Sequence, residues 1–98
     1  MTFEEAKQLK EGDFVTCNTD NIYGITDKGV PCSFIRIFSN DAYVEETDDL
    51  SYDENGYGIL VRVLDGYRCN SVYGVDYKYF DLVLNLKEIS EDELQLLL

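Results

Sequence analysis

The sequence predicts a small, mainly β domain with a short helix at each end. Three observations support this prediction: a length of 98 residues, a series of short apolar segments separated by turn residues, and a helix-capping pattern near each terminus. A chain of this length can bury one modest core, so we expect a single domain over residues 1–98. The hydrophobic content of 45% is ordinary for a globular protein and argues against global disorder.

Both predicted helices begin with the spacing of a capping box. Thr2 and Glu5 have this spacing and predict a helix over residues 3–9, which Gly12 and its neighbours then end. The segment Ser90-Glu91-Asp92-Glu93 repeats the spacing and predicts a second short helix that continues to the end of the chain.

Six segments between these helices have the composition of strands. They cover residues 14–17, 32–38, 42–46, 59–64, 67–69 with an extension at 73–75, and 80–86. In the clearest one, Ile59, Val61 and Val63 share one face, and Asp65-Gly66 after it predicts a tight hairpin. Residues 76–79 predict a single 3₁₀ turn before the last strand. Five or six short strands favour a small barrel over a sandwich, because closure protects the edges of the sheet.

Positive charge is missing from the middle of the chain. No Lys or Arg occurs between Ile37 and Val61. Seven acids occur there, namely Asp41, Glu45, Glu46, Asp48, Asp49, Asp53 and Glu54, in a chain of net charge −12. Such a surface repels nucleic acid and anionic membranes and attracts basic proteins, so we expect no direct nucleic-acid or membrane partner.

The acidic stretch also suggests a specific hypothesis. Alternate residues of a strand lie about 6.6 Å apart on one face, which is close to about twice the 3.4 Å rise between phosphates of one nucleic-acid strand. We therefore expect an imitation of a phosphate backbone that occupies the basic nucleic-acid-binding surface of a partner protein. The residues predicted to bind the partner are Glu45, Glu46, Asp48, Asp49, Asp53 and Glu54 for charge, with Tyr52 and Tyr57 for packing contacts. The alternative is that these residues form a solvated acidic loop that binds no partner.

Catalysis and cofactor binding are not predicted. The chain has no His, so a Ser or Cys nucleophile would lack its usual base, and there is no glycine-rich phosphate loop. Acids such as Asp48 and Glu54 carry the hard oxygen ligands that Ca²⁺ prefers, but their spacing does not match an EF-hand loop. We therefore predict a non-enzymatic protein with no metal site and no cofactor.

The cysteines and the N-terminus bear on the compartment. Cys17, Cys32 and Cys69 form no C-x-x-C pair, so we predict free thiols in a reducing environment, buried as small hydrophobic side chains. The acidic N-terminal segment lacks an apolar signal region, and no apolar run approaches 18 residues. These features together predict a cytoplasmic protein.

A family resemblance is carried by four segments. They are Leu9-x-x-Gly12-Asp13-x-Val15, Tyr23-Gly24, Gly29-Val30 and Val75-x-x-x-Tyr79-Phe80-x-Leu82-Val83. Over residues 9–86, with an insertion around 47–58, the chain resembles SH3-like small barrels, and it is also similar to small phage-encoded accessory proteins. The resemblance implies an antiparallel barrel of five or six strands. It implies no function directly, because family members that bind nucleic acid use basic loops and this chain has the opposite charge.

Two functions remain open from the sequence, beside a third class, a Ca²⁺-stabilised module in which Asp48, Asp49, Asp53 and Glu54 would supply oxygen ligands. The first is an acidic inhibitor of the nucleic-acid-mimic type, whose natural target would be a nuclease of host defence, as in phage counter-defence. The second is a small adaptor or structural accessory protein that binds through a tyrosine-rich face or through the Leu-rich C-terminal tail. Tyr67, Tyr73 and Leu97 would be its important residues, and the tail would also offer a surface for a homodimer.

Overall fold

The chain folds around one five-stranded antiparallel sheet. The computed structural model describes residues 1–20 and 28–83. Its elements are α1 (Phe3–Ala6), β1 (Phe14–Cys17), β2 (Pro31–Ser39), β3 (Tyr57–Val63), β4 (Val72–Val75), the 3₁₀ turn η1 (Tyr77–Tyr79) and β5 (Phe80–Leu82). The strands lie in the order β4-β3-β2-β1-β5. The prediction of a mainly β chain is confirmed, whereas within the described residues the sheet is open rather than closed into a barrel.

The N-terminal helix begins with the predicted capping box. The Thr2 hydroxyl accepts a hydrogen bond from the Glu5 backbone N–H at 3.2 Å, and the Glu5 carboxylate accepts one from the Thr2 N–H at 2.9 Å. The helix ends at Ala6 instead of continuing to Leu9, because the Gln8 and Leu9 amides donate to carbonyls three residues back instead of four. The second predicted helix and the Tyr23-Gly24 segment lie outside the described residues.

Strand β3 is buried on both faces. Ile59, Val61 and Val63 share the face that packs into the larger core cluster, as the alternation predicted. Leu60 points to the opposite face and packs in a second cluster with Phe38 and Val44. This second cluster covers the face that a half-buried sheet would leave to solvent.

Two predicted strands are absent from the sheet. Residues 42–46 form no strand, because the chain crosses the sheet there and buries Val44 in the second cluster instead of pairing with a neighbour. Residues 67–69 lie in consecutive turns that end at Asn70, which has a φ of 73°, so the hairpin after β3 has a longer loop than Asp65-Gly66 predicted. The last strand is described over Phe80–Leu82, and residues 84–86 of its predicted range lie outside the described part.

The segment between β2 and β3, residues 40–56, is here called the acidic connection. It folds back to the edge of the sheet and contacts β4. Leu50 forms a parallel bridge with Gly74, whose N–H donates to the Asp49 carbonyl at 2.9 Å and whose carbonyl accepts from the Ser51 N–H at 2.8 Å. The Ser51 hydroxyl accepts from the Asp76 N–H at 3.1 Å. These bonds place the acidic residues at a defined edge of the domain, next to η1.

Candidate functional site

The acidic connection presents most of its carboxylates to solvent. The exposed acids are Asp41, Glu45, Glu46, Asp48, Asp49 and Glu54, whereas Asp53 is half-buried. The six acids that the sequence analysis selected therefore lie on one connection, but the structure gives them different surroundings.

Glu46 is paired with a cation from the neighbouring strand. The Arg36 guanidinium donates from Nε to Oε2 at 2.8 Å and from Nη2 to Oε1 at 3.0 Å. This two-point hydrogen bonding lowers the pKa of the Glu46 carboxyl and raises that of Arg36. Glu46 consequently contributes less net charge to the surface than the sequence alone suggested.

Asp53 is occupied by hydrogen bonds from its own domain. Its Oδ1 accepts from the backbone N–H of Asn55 at 2.8 Å and of Tyr57 at 3.0 Å, and its Oδ2 accepts from the Tyr77 hydroxyl. The Tyr77 hydrogen bond, followed by the Tyr57 N–H, lowers the pKa of Asp53. The same bond, with burial and the carboxylate charge, raises the pKa of Tyr77 to about 12. Asp53 thus ties the acidic connection to η1.

The remaining selected acids have no compensating cation among the described residues. They are Glu45, Asp48, Asp49 and Glu54. Within residues 1–20 and 28–83, the ion pairs join Lys7 to Glu4, Arg36 to Glu46 and Lys78 to Asp76. Four unpaired carboxylates on a connection that is held to β4 by backbone hydrogen bonds form a concentrated negative surface.

The two tyrosines of the acidic connection and its border differ in their contacts. Tyr52 is 47% exposed. Tyr57 begins β3, and its ring lies 5.0 Å from that of Phe3, which in turn lies 5.7 Å from the ring of Tyr77. Tyr57, which is 38% exposed, therefore gives part of its ring to the packing between α1 and η1, and Tyr52 keeps somewhat more of its ring for an external contact.

Two residues of the alternative adaptor function, Tyr67 and Tyr73, do not share one surface. Tyr67 is 92% exposed on the β3–β4 loop, with the Arg68 guanidinium 5.1 Å from its ring centre. Tyr73 is buried in the larger core cluster. Leu97 and the rest of the predicted tail lie outside the described residues.

The cysteines are free thiols with two different environments. Cys17 and Cys32 are buried as predicted, and burial, assisted by the neighbouring Cys17, raises the pKa of the Cys32 thiol to about 12. Cys69 is exposed, so its predicted burial is wrong. The reason is that residues 67–69 form turns instead of a strand, and the β3–β4 loop leaves the sheet.

A shallow groove lies between the acidic connection and η1. It has a volume of about 340 Å³ and is lined by Tyr52, Asp53, Glu54, Asn55, Asp76, Tyr77 and Lys78. Asp76 is buried, and its Oδ1 accepts from the Lys78 backbone N–H at 3.0 Å, which caps η1. The 3₁₀ turn predicted over residues 76–79 is present as η1, whereas Asp76 and Lys78 were not among the residues predicted to bind a partner. Nothing local in the sequence indicated that residues 52–55 fold back against this turn.

Two further observations concern metals and membranes. Among the described residues, no group of three or more His, Cys, Asp or Glu side chains is placed to hold a metal ion. In the same part of the chain, no helix is long and apolar enough to cross a membrane.

Comparison of the chain with protein-family models, with curated proteins and with solved structures found no match. The functional argument therefore rests on the geometry and charge of this chain.

Proposed function

We propose that this protein is a non-enzymatic, acidic inhibitor that binds a basic surface of another protein, most naturally the nucleic-acid-binding surface of an enzyme. The single observation that carries the proposal is the set of four exposed acids, Glu45, Asp48, Asp49 and Glu54, for which the described part of the chain provides no ion-pair partner. A concentration of charge that costs stability through self-repulsion is explained if it serves recognition.

The manner of mimicry differs from the strand-spacing hypothesis. Residues 42–46 are not a strand, so the regular 6.6 Å repeat of a strand face does not apply to Glu45 and Glu46. The proposed recognition depends instead on the density of negative charge and on the attachment of the acidic connection to β4. Because the acidic connection is already held against β4, less conformational entropy is lost when it binds a partner.

The likeness to SH3-like barrels is also kept as a proposal. The 3₁₀ turn η1 directly before β5 matches the resemblance at residues 75–83 and supports it. A role in phage counter-defence follows from the likeness to small phage-encoded proteins together with the charge. The free thiols of Cys17 and Cys32 support a reducing, cytoplasmic location.

The test is affinity capture from a host-cell lysate with two variants of equal net charge. The first variant carries Glu45→Gln, Asp48→Asn, Asp49→Asn and Glu54→Gln. The control carries Glu4→Gln, Glu11→Gln, Asp20→Asn and Asp65→Asn, which are exposed acids outside the acidic connection. Each variant changes the net charge from −12 to −8, because four of the charges counted in the sequence are removed.

The proposal expects a captured nucleic-acid-binding protein that added DNA or RNA displaces. The first variant should bind this partner at least about fourfold more weakly, because four surface charge interactions contribute about 0.8–4 kcal/mol in total. The control should bind like the wild type, and wild-type binding should weaken with salt. Equal binding by both variants would contradict the proposal.

The adaptor function keeps one supporting observation, the 92% exposure of Tyr67. If the protein is an adaptor, Tyr67→Ser should abolish partner binding, and the variant in which four acids are neutralised should bind like the wild type. The same capture experiment therefore separates the two functions.

A further inference from the structure

The groove between the acidic connection and η1 contains a buried carboxylate, Asp76, whose Oδ1 accepts from the Lys78 backbone N–H and whose Oδ2 forms a long ion pair with the Lys78 ammonium. Asp76 is 4% exposed. Its Oδ2 lies 3.7 Å from the Lys78 Nζ, beyond the range of a normal hydrogen bond, and the Lys78 side chain is 62% exposed. A buried carboxylate is costly unless a cation and hydrogen bonds compensate it. The groove therefore already holds a cation, the protein's own ammonium, in a position where it remains mostly in water.

The other groups at the groove suit a planar cation. Glu54 is exposed, without a cation partner among the described residues, and the half-exposed Tyr52 offers an aromatic ring. Cations are attracted to the faces of such rings. Asp53 contributes less, because Tyr57 and Tyr77 already occupy both of its oxygens. The volume of about 340 Å³ lies within the range of sites that take small groups.

We propose that this groove receives one arginine side chain of the basic partner, whose guanidinium displaces the Lys78 ammonium from Asp76. A guanidinium presents several N–H donors in a fixed plane, so it can hydrogen-bond a carboxylate at two points and stack on a tyrosine. An ammonium is a compact and strongly hydrated charge, and Lys78 shows that it pairs with Asp76 only at long range. The inference rests on the proposed function, since it names the anchor that the basic partner supplies.

The test uses peptide probes and does not need the partner. ¹⁵N-labelled protein is titrated at low ionic strength with capped Gly-Arg-Gly, with the citrulline peptide of equal shape and no charge, and with capped Gly-Lys-Gly. The arginine peptide should shift the amide signals of Asn55, Tyr77 and Lys78 saturably. The citrulline peptide should cause no shift, and the lysine peptide should bind more weakly. Asp76→Asn should abolish the shifts while keeping an oxygen to cap η1, and its melting curve verifies that it folds.

A pair of lysine variants separates displacement from general electrostatics. Lys78→Gln and Lys10→Gln remove the same charge, and Lys10 is exposed outside the groove. If Lys78 competes for Asp76, Lys78→Gln should bind the arginine peptide about 1.4-fold to fivefold more tightly than Lys10→Gln, the factor expected for one surface ion pair.

The outcomes also distinguish this inference from the proposed function. Shifts that spread over residues 41–49, no saturable shift at the groove, equal binding of the lysine peptide, or equal affinities of the two lysine variants would each overturn the arginine site. Glu54 belongs to both sites, whereas Glu45, Asp48 and Asp49 lie outside the groove, so none of these results decides partner capture by those three acids. Loss of the capture effect with a functioning arginine site would refute the proposed function instead.

Discussion

Replacing Gly58 by alanine tests how the acidic connection is attached to the sheet. A Cβ at Gly58 would lie 2.6 Å from the Phe38 ring and 2.8 Å from the Ser51 carbonyl oxygen. Phe38 is buried in the second core cluster, and the Ser51 carbonyl belongs to the backbone of the acidic connection, so neither can move without disturbing the attachment. Gly74 is the comparison, because the nearest atom to its Cβ would be the flexible end of Leu50 at 2.5 Å, followed by the Phe38 ring at 3.0 Å and the end of Leu60 at 3.2 Å.

The two substitutions should differ in size. Overpacking of a core costs about 1–3 kcal/mol, and alanine in a strand recovers about 0.5–1 kcal/mol relative to glycine. With ring and backbone both obstructed, Gly58→Ala should lower the free energy of unfolding by about 1.5–2.5 kcal/mol. Gly74→Ala should cost less, about 0–1.5 kcal/mol, because the end of Leu50 is a flexible side chain and the Phe38 ring has to move by only a few tenths of an ångström.

Urea unfolding measures both changes in stability as shifts of the denaturation midpoint, provided that the slope of the free energy of unfolding against urea concentration is unchanged. A double-mutant cycle adds Leu50→Ala to each glycine variant. This change should couple to Gly74→Ala by about 0.5 kcal/mol or more and more weakly to Gly58→Ala, because Leu50 meets the Cβ of Gly74 directly and shares only the Phe38 cluster with Gly58. A protease that cleaves after acidic residues should cut the acidic connection faster in Gly58→Ala than in the wild type. Trypsin cannot report on this segment, because no Lys or Arg occurs between Ile37 and Val61. A wild-type midpoint for Gly58→Ala, or a larger loss for Gly74→Ala, would refute the reasoning.

Three other predictions concern single side chains. Tyr77→Phe removes the hydroxyl that donates to the Asp53 carboxylate, so the free energy of unfolding should fall by about 1–2 kcal/mol in urea experiments and the pKa of Asp53 should rise in an NMR titration. The pKa of Asp53 is lower in the folded than in the unfolded state. Its contribution to the free energy of unfolding is therefore complete above about pH 4 and is lost as the pH falls through the folded-state pKa. Asp53→Asn should consequently make stability depend less on pH in the acid range. A thiol reagent should label Cys69 rapidly in the folded protein and reach Cys17 and Cys32 after denaturation.

Each of these has a clear contrary result. Wild-type stability of Tyr77→Phe would mean that the hydroxyl hydrogen bond contributes nothing to the fold. An acid dependence of Asp53→Asn as steep as that of the wild type would assign the loss of stability to other carboxyls. Fast labelling of three thiols in the folded state would contradict the burial of Cys17 and Cys32.

Local patterns predicted those elements whose causes are local. The capping box of Thr2 and Glu5 involves residues three positions apart, and the alternation of Ile59, Val61 and Val63 follows from the two-residue repeat of a strand. Both were predicted from the chain alone. Residues 42–46 have a strand-like composition as well. Composition does not show which face of the sheet is left exposed by the other elements, and Val44 packs on that face with Phe38 and Leu60.

The charge of the acidic stretch could be read directly from the residues, because charge is a property of composition. Which of its carboxylates remain available to a partner depended on residues far away in the chain. Glu46 is paired by Arg36, Asp53 is held by Tyr77, and Asp76 comes to lie beside residues 52–55 because the acidic connection folds back onto β4. These contacts join segments that only the packing of the sheet brings together, so no pattern of neighbouring residues could have predicted them.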